Sequence, residues 1–130
     1  MDENFIVSRK IVLRLLSAQN ECQMYHWCTD SYSRHVASDT FLSKLREFTD
    51  KLIESYQGRY GKIDFNGEHD IKLYHVEDLN AVEFLTSLED YLVYDPIFLN
   101  FISEANDLIT FRDEMVGDIT STKYKFSLKA

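Results

Sequence analysis

The 130-residue chain carries 22 acidic against 14 basic side chains, a net charge of −8, and 45% of its residues are hydrophobic. That is chain enough for one domain, residues 1–130, with a proper core. The acidic sign disfavours a phosphate-binding surface, because nucleic-acid affinity rests on clustered Lys and Arg. The one local basic cluster, Lys123, Lys125 and Lys129, reads as a solvated tail. No apolar run approaches the length of a membrane span. The N-terminal Met1-Asp2-Glu3-Asn4 is acidic and unlike a secretory signal, so a soluble, cytoplasmic protein is expected. One Pro and four Gly, three of them within 58–67, leave few breakers elsewhere, so an all-α chain is expected.

In chain order, apolar residues at Ile11, Leu15, Ala18, Cys22 and Tyr25 form a helical stripe over residues 5–28. Asp30, Ser31 and Ser33 supply turn and N-cap chemistry for a second helix. It is predicted over residues 33–56, with Phe41, Leu45, Phe48, Leu52 and Tyr56 on one face and Gly58 as its C-cap. Residues 58–75 are irregular: Asn66-Gly67 lies between Ile63-Asp64-Phe65 and Ile71-Lys72-Leu73-Tyr74, a short hairpin or a plain loop. A third helix is predicted over 77–93, with Leu79, Val82, Leu85, Leu88 and Leu92 inward. Asp95-Pro96 reads as an N-cap followed by Pro at the first helical position. It opens a fourth helix to about residue 122, through Phe98, Phe101, Ile102, Ala105, Leu108, Ile109, Arg112, Met115 and Ile119, with Gly117 weakening its last turns. Four helices with one longer middle connection describe a four-helix bundle.

The two cysteines, Cys22 and Cys28, do not make a disulfide framework. A closed zinc site needs four ligands, and Cys22-x3-His26-x-Cys28 has no second cluster, so both read as buried free thiols. The second helix carries more. His35 and Asp39 are i and i+4, as are Asp50 and Glu54, and Asp39 and Asp50 are eleven residues apart, about three turns. All four therefore share one stripe. At ~1.5 Å rise per residue the two pairs lie ~16 Å apart, whereas ligands must sit ~2 Å from a metal ion. One copy of the helix cannot close both halves on one ion, but an antiparallel twofold mate could set His35 and Asp39 against its Asp50 and Glu54. Mixed imidazole and carboxylate donors suit ferrous iron or a similar divalent ion. The bland alternatives are a helix-end core histidine at His26, a solvated Asp50/Glu54 face pairing with Arg46 and Lys51, and an Asp39 that favours the helix dipole.

His26-Trp27, a short turn, then His35-x3-Asp39-x10-Asp50-x3-Glu54 resembles the ferroxidase motif of Dps-type mini-ferritins. The resemblance covers about residues 10–57 and matches the spacing within the second helix residue for residue. It implies a ferritin-like four-helix bundle, assembled as a twofold dimer and commonly as a twelve-subunit shell. It also implies Fe(II) held by His26, His35 and Asp39 of one subunit with Asp50 and Glu54 of its mate, and oxidation of that iron, preferentially by peroxide. Larger ferritins build their site within one subunit from Glu-x-x-His pairs, and no His here has Glu three residues before it. Three departures bear on the implied function. The turn between His26 and His35 is shorter than in the family. Thr40, Ser43 and Lys44 stand where inner carboxylates would favour mineral growth, which weakens mineral storage more than iron binding. There is no basic N-terminal arm, so DNA compaction is not expected. The C-terminal half, including Arg112-Asp113-Glu114-Met115, looks like small ferritin-like proteins of phages and large viruses, which would place the chain in a host cytoplasm. The rival reading is a non-catalytic helical bundle that binds a protein partner, favoured if Tyr56, Tyr60, Tyr74, Tyr91 and Tyr94 are exposed.

Overall fold

Two long helices open the chain in the computed structural model, which describes residues 3–128: α1 over Glu3–Cys28 and α2 over Tyr32–Tyr60. Met1, Asp2 and Lys129, used above, lie outside the described residues. The stripe of α1 is buried as expected, at Ile11, Leu15, Ala18, Cys22 and Tyr25. Ser31 caps α2, its Oγ accepting from the Arg34 N–H at 3.2 Å. The far end differs from the expectation. α2 runs through Gly58 and stops at Gly61, whose φ of 99° is closed to most side chains and whose N–H donates to the Gln57 carbonyl.

Residues 61–77 form an extended crossover without strand pairing, so of the two readings of Asn66-Gly67 the plain loop is the one observed. Side chains of α1 satisfy its backbone instead. Arg9 Nε donates to the Asp64 carbonyl at 2.7 Å, Ser17 Oγ to the Lys72 carbonyl at 3.3 Å, and the Tyr74 N–H to Glu21 Oε2 at 2.7 Å. The crossover thus travels the length of α1 and delivers the chain to its C-terminal end.

A 3₁₀ turn, Asp78–Asn80, precedes α3 (Ala81–Tyr94). Glu77 and Asn80 cap each other's backbone there. Leu79 was expected inward and is 95% exposed, and Val82 is also exposed. The helix begins only at Ala81, and its buried stripe runs Ala81, Leu85, Leu88, Leu92, which leaves no inward place for either residue. Asp95 then caps α4 (Pro96–Ile102), Oδ1 accepting from the Ile97 and Phe98 N–H groups at 3.0 Å each. The single fourth helix of the sequence reading is broken. Ser103 and Ala105 are extended, Glu104 has φ 63°, and α5 (Asn106–Ser127) starts afresh. The break lets α4 pack against α1 and α3 while α5 runs back along α2 and α3; one straight helix cannot do both. Gly117 does not interrupt α5, which continues to Ser127. Asp95→Ala is expected to cost about 1 kcal/mol, read by urea unfolding, with Asp95→Ser restoring most of it.

Ser8 meets Tyr56 (3.0 Å) while His26 meets His35, so α1 and α2 are antiparallel. Arg59–Asp107 (2.7 Å) and Lys44–Asp118 (3.2 Å) make α5 antiparallel to α2, and Lys123–Glu89 (2.9 Å) ties α5 to α3. Hence α1 and α5 run one way, α2 and α3 the other. All five helices contribute to one apolar cluster, with Leu15, Leu45, Leu52, Leu85, Leu88, Leu92, Phe98 and Leu108 fully buried. Among the described residues no helix is long and apolar enough to cross a membrane.

Candidate metal half-site at the turn between α1 and α2

Only residues 29–31 separate α1 from α2, so the last turn of one faces the first turn of the other. His26 and His35 meet there. Their rings stack, with centroids 4.0 Å apart and planes at 17°. Nδ1 of His26 lies 2.8 Å from the His35 carbonyl, and Nδ1 of His35 lies 2.8 Å from the His26 carbonyl. A carbonyl only accepts, so both Nδ1 atoms carry the proton. In the neutral rings Nε2 is then the lone-pair nitrogen of each, the state of a metal-ligating imidazole oriented by a backbone carbonyl. Ser38 Oγ supports the pair, donating to the His35 carbonyl at 3.1 Å and lying 3.2 Å from His26 Nδ1. Asp39 Oδ1 stands 4.0 Å from His26 Nε2. The Asp39 side chain is exposed and lies beyond the first turn of α2.

Asp50 and Glu54 are exposed further along the continuous α2, and among the described residues neither side chain has an ion pair or hydrogen bond. The pairing with Arg46 and Lys51 does not form: Arg46 donates to Gln23 at 3.1 Å, and Lys51 pairs with Glu47 at 3.0 Å. The chain therefore brings His26 and His35 into contact with Asp39 beside His26, and leaves Asp50 and Glu54 apart. Among the described residues no three His, Cys, Asp or Glu side chains converge on a point that could hold a metal ion.

The histidine pair sits beside a clamp that sequence reasoning missed. Arg34 donates to the Phe126 carbonyl through Nε (3.2 Å) and Nη2 (2.9 Å), and to the Asp78 carbonyl through Nη1 (2.7 Å). Its guanidinium also lies over the Phe126 ring, 5.3 Å from the centroid. Asp78 Oδ1 accepts from Thr29 (2.6 Å) and Tyr25 (2.7 Å). These two bonds, the Thr29 one foremost, hold its carboxyl below the usual carboxylate range. α1, α2, the 3₁₀ turn and α5 are joined at this end by one network. Nothing local in the sequence marks it, since its partners are up to 92 residues apart.

The thiols are not alike. Cys22 is buried beside the Ser38 carbonyl, and burial pushes its thiol up to about 12. Cys28 was expected to be buried too and is exposed, because α1 ends there, one turn past the core residue Tyr25. Iodoacetamide at about pH 8 is expected to modify one thiol per native chain and both after denaturation, counted by intact mass.

A bundle of this kind with a histidine pair at a helical turn belongs to the all-α proteins. Residues 26–126 match the model of a family described as Family of unknown function (DUF5856), and the chain belongs to that family. No curated protein and no solved structure matches it.

Proposed function

We propose that the protein is a Dps-like ferroxidase with a ferritin-like bundle, taking Fe(II) as substrate at a site shared across a twofold axis. The carrying observation is the reciprocal histidine clasp. Two stacked imidazoles have their Nδ1 protons committed to backbone carbonyls, and the Nε2 of His26 lies 4.0 Å from the Asp39 carboxylate. Support comes also from Asp50 and Glu54, exposed on the same helix and without partners among the described residues, as donors from a second copy must be. The single long crossover, which sets α2 and α3 parallel, also supports the reading, since ferritin-like bundles have one such connection. In this reading His26, His35 and Asp39 of one copy bind one side of the iron, and Asp50 and Glu54 of the other complete it. Each ferrous ion gives one electron; a peroxide molecule accepts two, takes two protons and leaves as two waters. The chain's own part is to position donors and shield the ion.

The test is Fe(II) titration of the metal-free protein, anaerobically and then with peroxide or oxygen, read by absorbance in the near ultraviolet. Rapid oxidation saturating at a small whole number of irons per dimer is expected. Binding no greater than the buffer control, or a strictly monomeric protein under the same conditions, sinks the reading.

A second reading, a bundle that serves as a protein-binding module, has its own observation. Trp27 (70%), Tyr32 (78%), Leu79 (95%) and Tyr124 (66%) are exposed on the clamped end of the bundle. Of the tyrosines near the connections, Tyr60, Tyr74 and Tyr94 are exposed, whereas Tyr56 and Tyr91 pack against the core. A failed titration would turn attention to that end.

A further inference from the structure

The bundle has an open seam. α1 packs on α2, α2 on α5 and α5 on α3, but α1 and α3 barely touch. A groove of about 640 Å³ occupies the space between them, edged by the crossover, a volume in the range of small-molecule sites. A seam between bundle helices is ordinarily apolar. Here Val76 and Phe84 give an apolar wall, while Arg14 and Glu21 come from α1, Lys72 from the crossover and Glu83 from α3.

The charges do not cancel one another. Arg14 is half-buried with its guanidinium over the Tyr91 ring, 5.1 Å from the centroid, and among the described residues it has no ion pair or hydrogen bond. Glu21 is 6% exposed, with Oε2 taken by the Tyr74 N–H. Lys72 and Glu83 stand exposed at the rim, and among the described residues their side chains have no partner. Arg14 and Glu21 are seven residues apart on one helix, ~10 Å along its axis, too far for the two to pair. The half-buried Arg14 cation and the buried Glu21 carboxylate face one cavity without an ion pair among the described residues, an arrangement that suits a ligand carrying both opposite charges.

We infer that this groove binds a small zwitterion of dipeptide length with an apolar body, its carboxylate on Arg14 and Lys72 and its ammonium on Glu21 and Glu83. Length decides between candidates. A free amino acid separates its charges by ~3 Å, whereas a dipeptide, at ~3.5 Å per residue, spans ~7 Å, closer to the ~10 Å between the Arg14 and Glu21 positions. The aliphatic and aromatic side chains then lie on Val76 and Phe84. None of the five residues of the iron reading takes part, so the two stand or fall separately.

Calorimetric titration of the whole chain with leucyl-phenylalanine tests this, alongside its N-acetylated form, its C-terminal amide and free phenylalanine. The free dipeptide is expected to bind with a Kd below about 1 mM, and each of the other three at least roughly tenfold more weakly. In Glu21→Gln, which keeps an acceptor for the Tyr74 N–H, the free and acetylated dipeptides should bind alike. In Arg14→Met the free and amidated ones should. No heat from the free dipeptide at millimolar concentration overturns the proposal, as do capped forms that bind wild type equally well. Phenylalanine binding as tightly as the dipeptide overturns the assignment of length.

Discussion

Replacing Arg34 with methionine is expected to lower the unfolding free energy by about 2–4 kcal/mol and Tm by roughly 10 °C. Methionine keeps the aliphatic packing but deletes three donors. The Phe126 carbonyl loses two charge-assisted bonds and the Asp78 carbonyl one, each such bond being worth about 1.5–3 kcal/mol net and not additive with its neighbours. The Arg34 side chain is only 19% exposed, so water does not simply replace it. Lysine should recover little, because one ammonium cannot reproduce a planar fork that reaches carbonyls on two elements. Urea unfolding of the three proteins checks this. A midpoint unchanged in Arg34→Met would mean that the four elements meeting there are held by their apolar contacts alone.

Under the iron reading, His35→Ala and Glu54→Ala each slow rapid Fe(II) oxidation by more than about 100-fold. Helical content stays unchanged, since both side chains are exposed on α2. Mixing the two inactive variants gives the sharper result. A shared site takes its imidazoles from one copy and its Glu54 from the other, so a mixed dimer has one doubly damaged site and one intact. Random exchange puts half of the dimers in that class and restores about a quarter of the wild-type rate. Were all the ligands from one chain, the mixture would stay inactive. Wild-type rates in the single variants would remove the site altogether.

How legible this was varied with the range of the interaction. Local chemistry read well: the Ser31 cap, the Asp95-Pro96 start of α4 and the buried stripe of α1 depend on neighbours in the chain. The break between α4 and α5 did not, because the apolar positions from Phe98 through Ala105 to Ile119 stay in helical phase across it. Only the need to pack against different partners interrupts the helix. Leu79 and Val82 misled for a similar reason, since apolarity cannot tell a 3₁₀ turn and an outward face from a core stripe. For the candidate site, helical spacing picked out His35, Asp39, Asp50 and Glu54 and the resemblance added His26, but the reciprocal ring-to-carbonyl bonds follow from a three-residue turn that spacing alone does not describe. Arg34, the residue that fastens this end, joins segments that only the folded chain brings together.

The crossover along α1 has a dynamic consequence. Regular structure shields amides in runs, whereas this segment is pinned at separate points. The Tyr74 N–H, bonded to the buried Glu21 carboxylate, should exchange with deuterium slowly, while its exposed neighbours Lys72, Leu73 and His75 exchange quickly. A lone slow amide in a fast stretch would mark the crossover as a strap that opens between its fastenings while the helices beneath it stay closed.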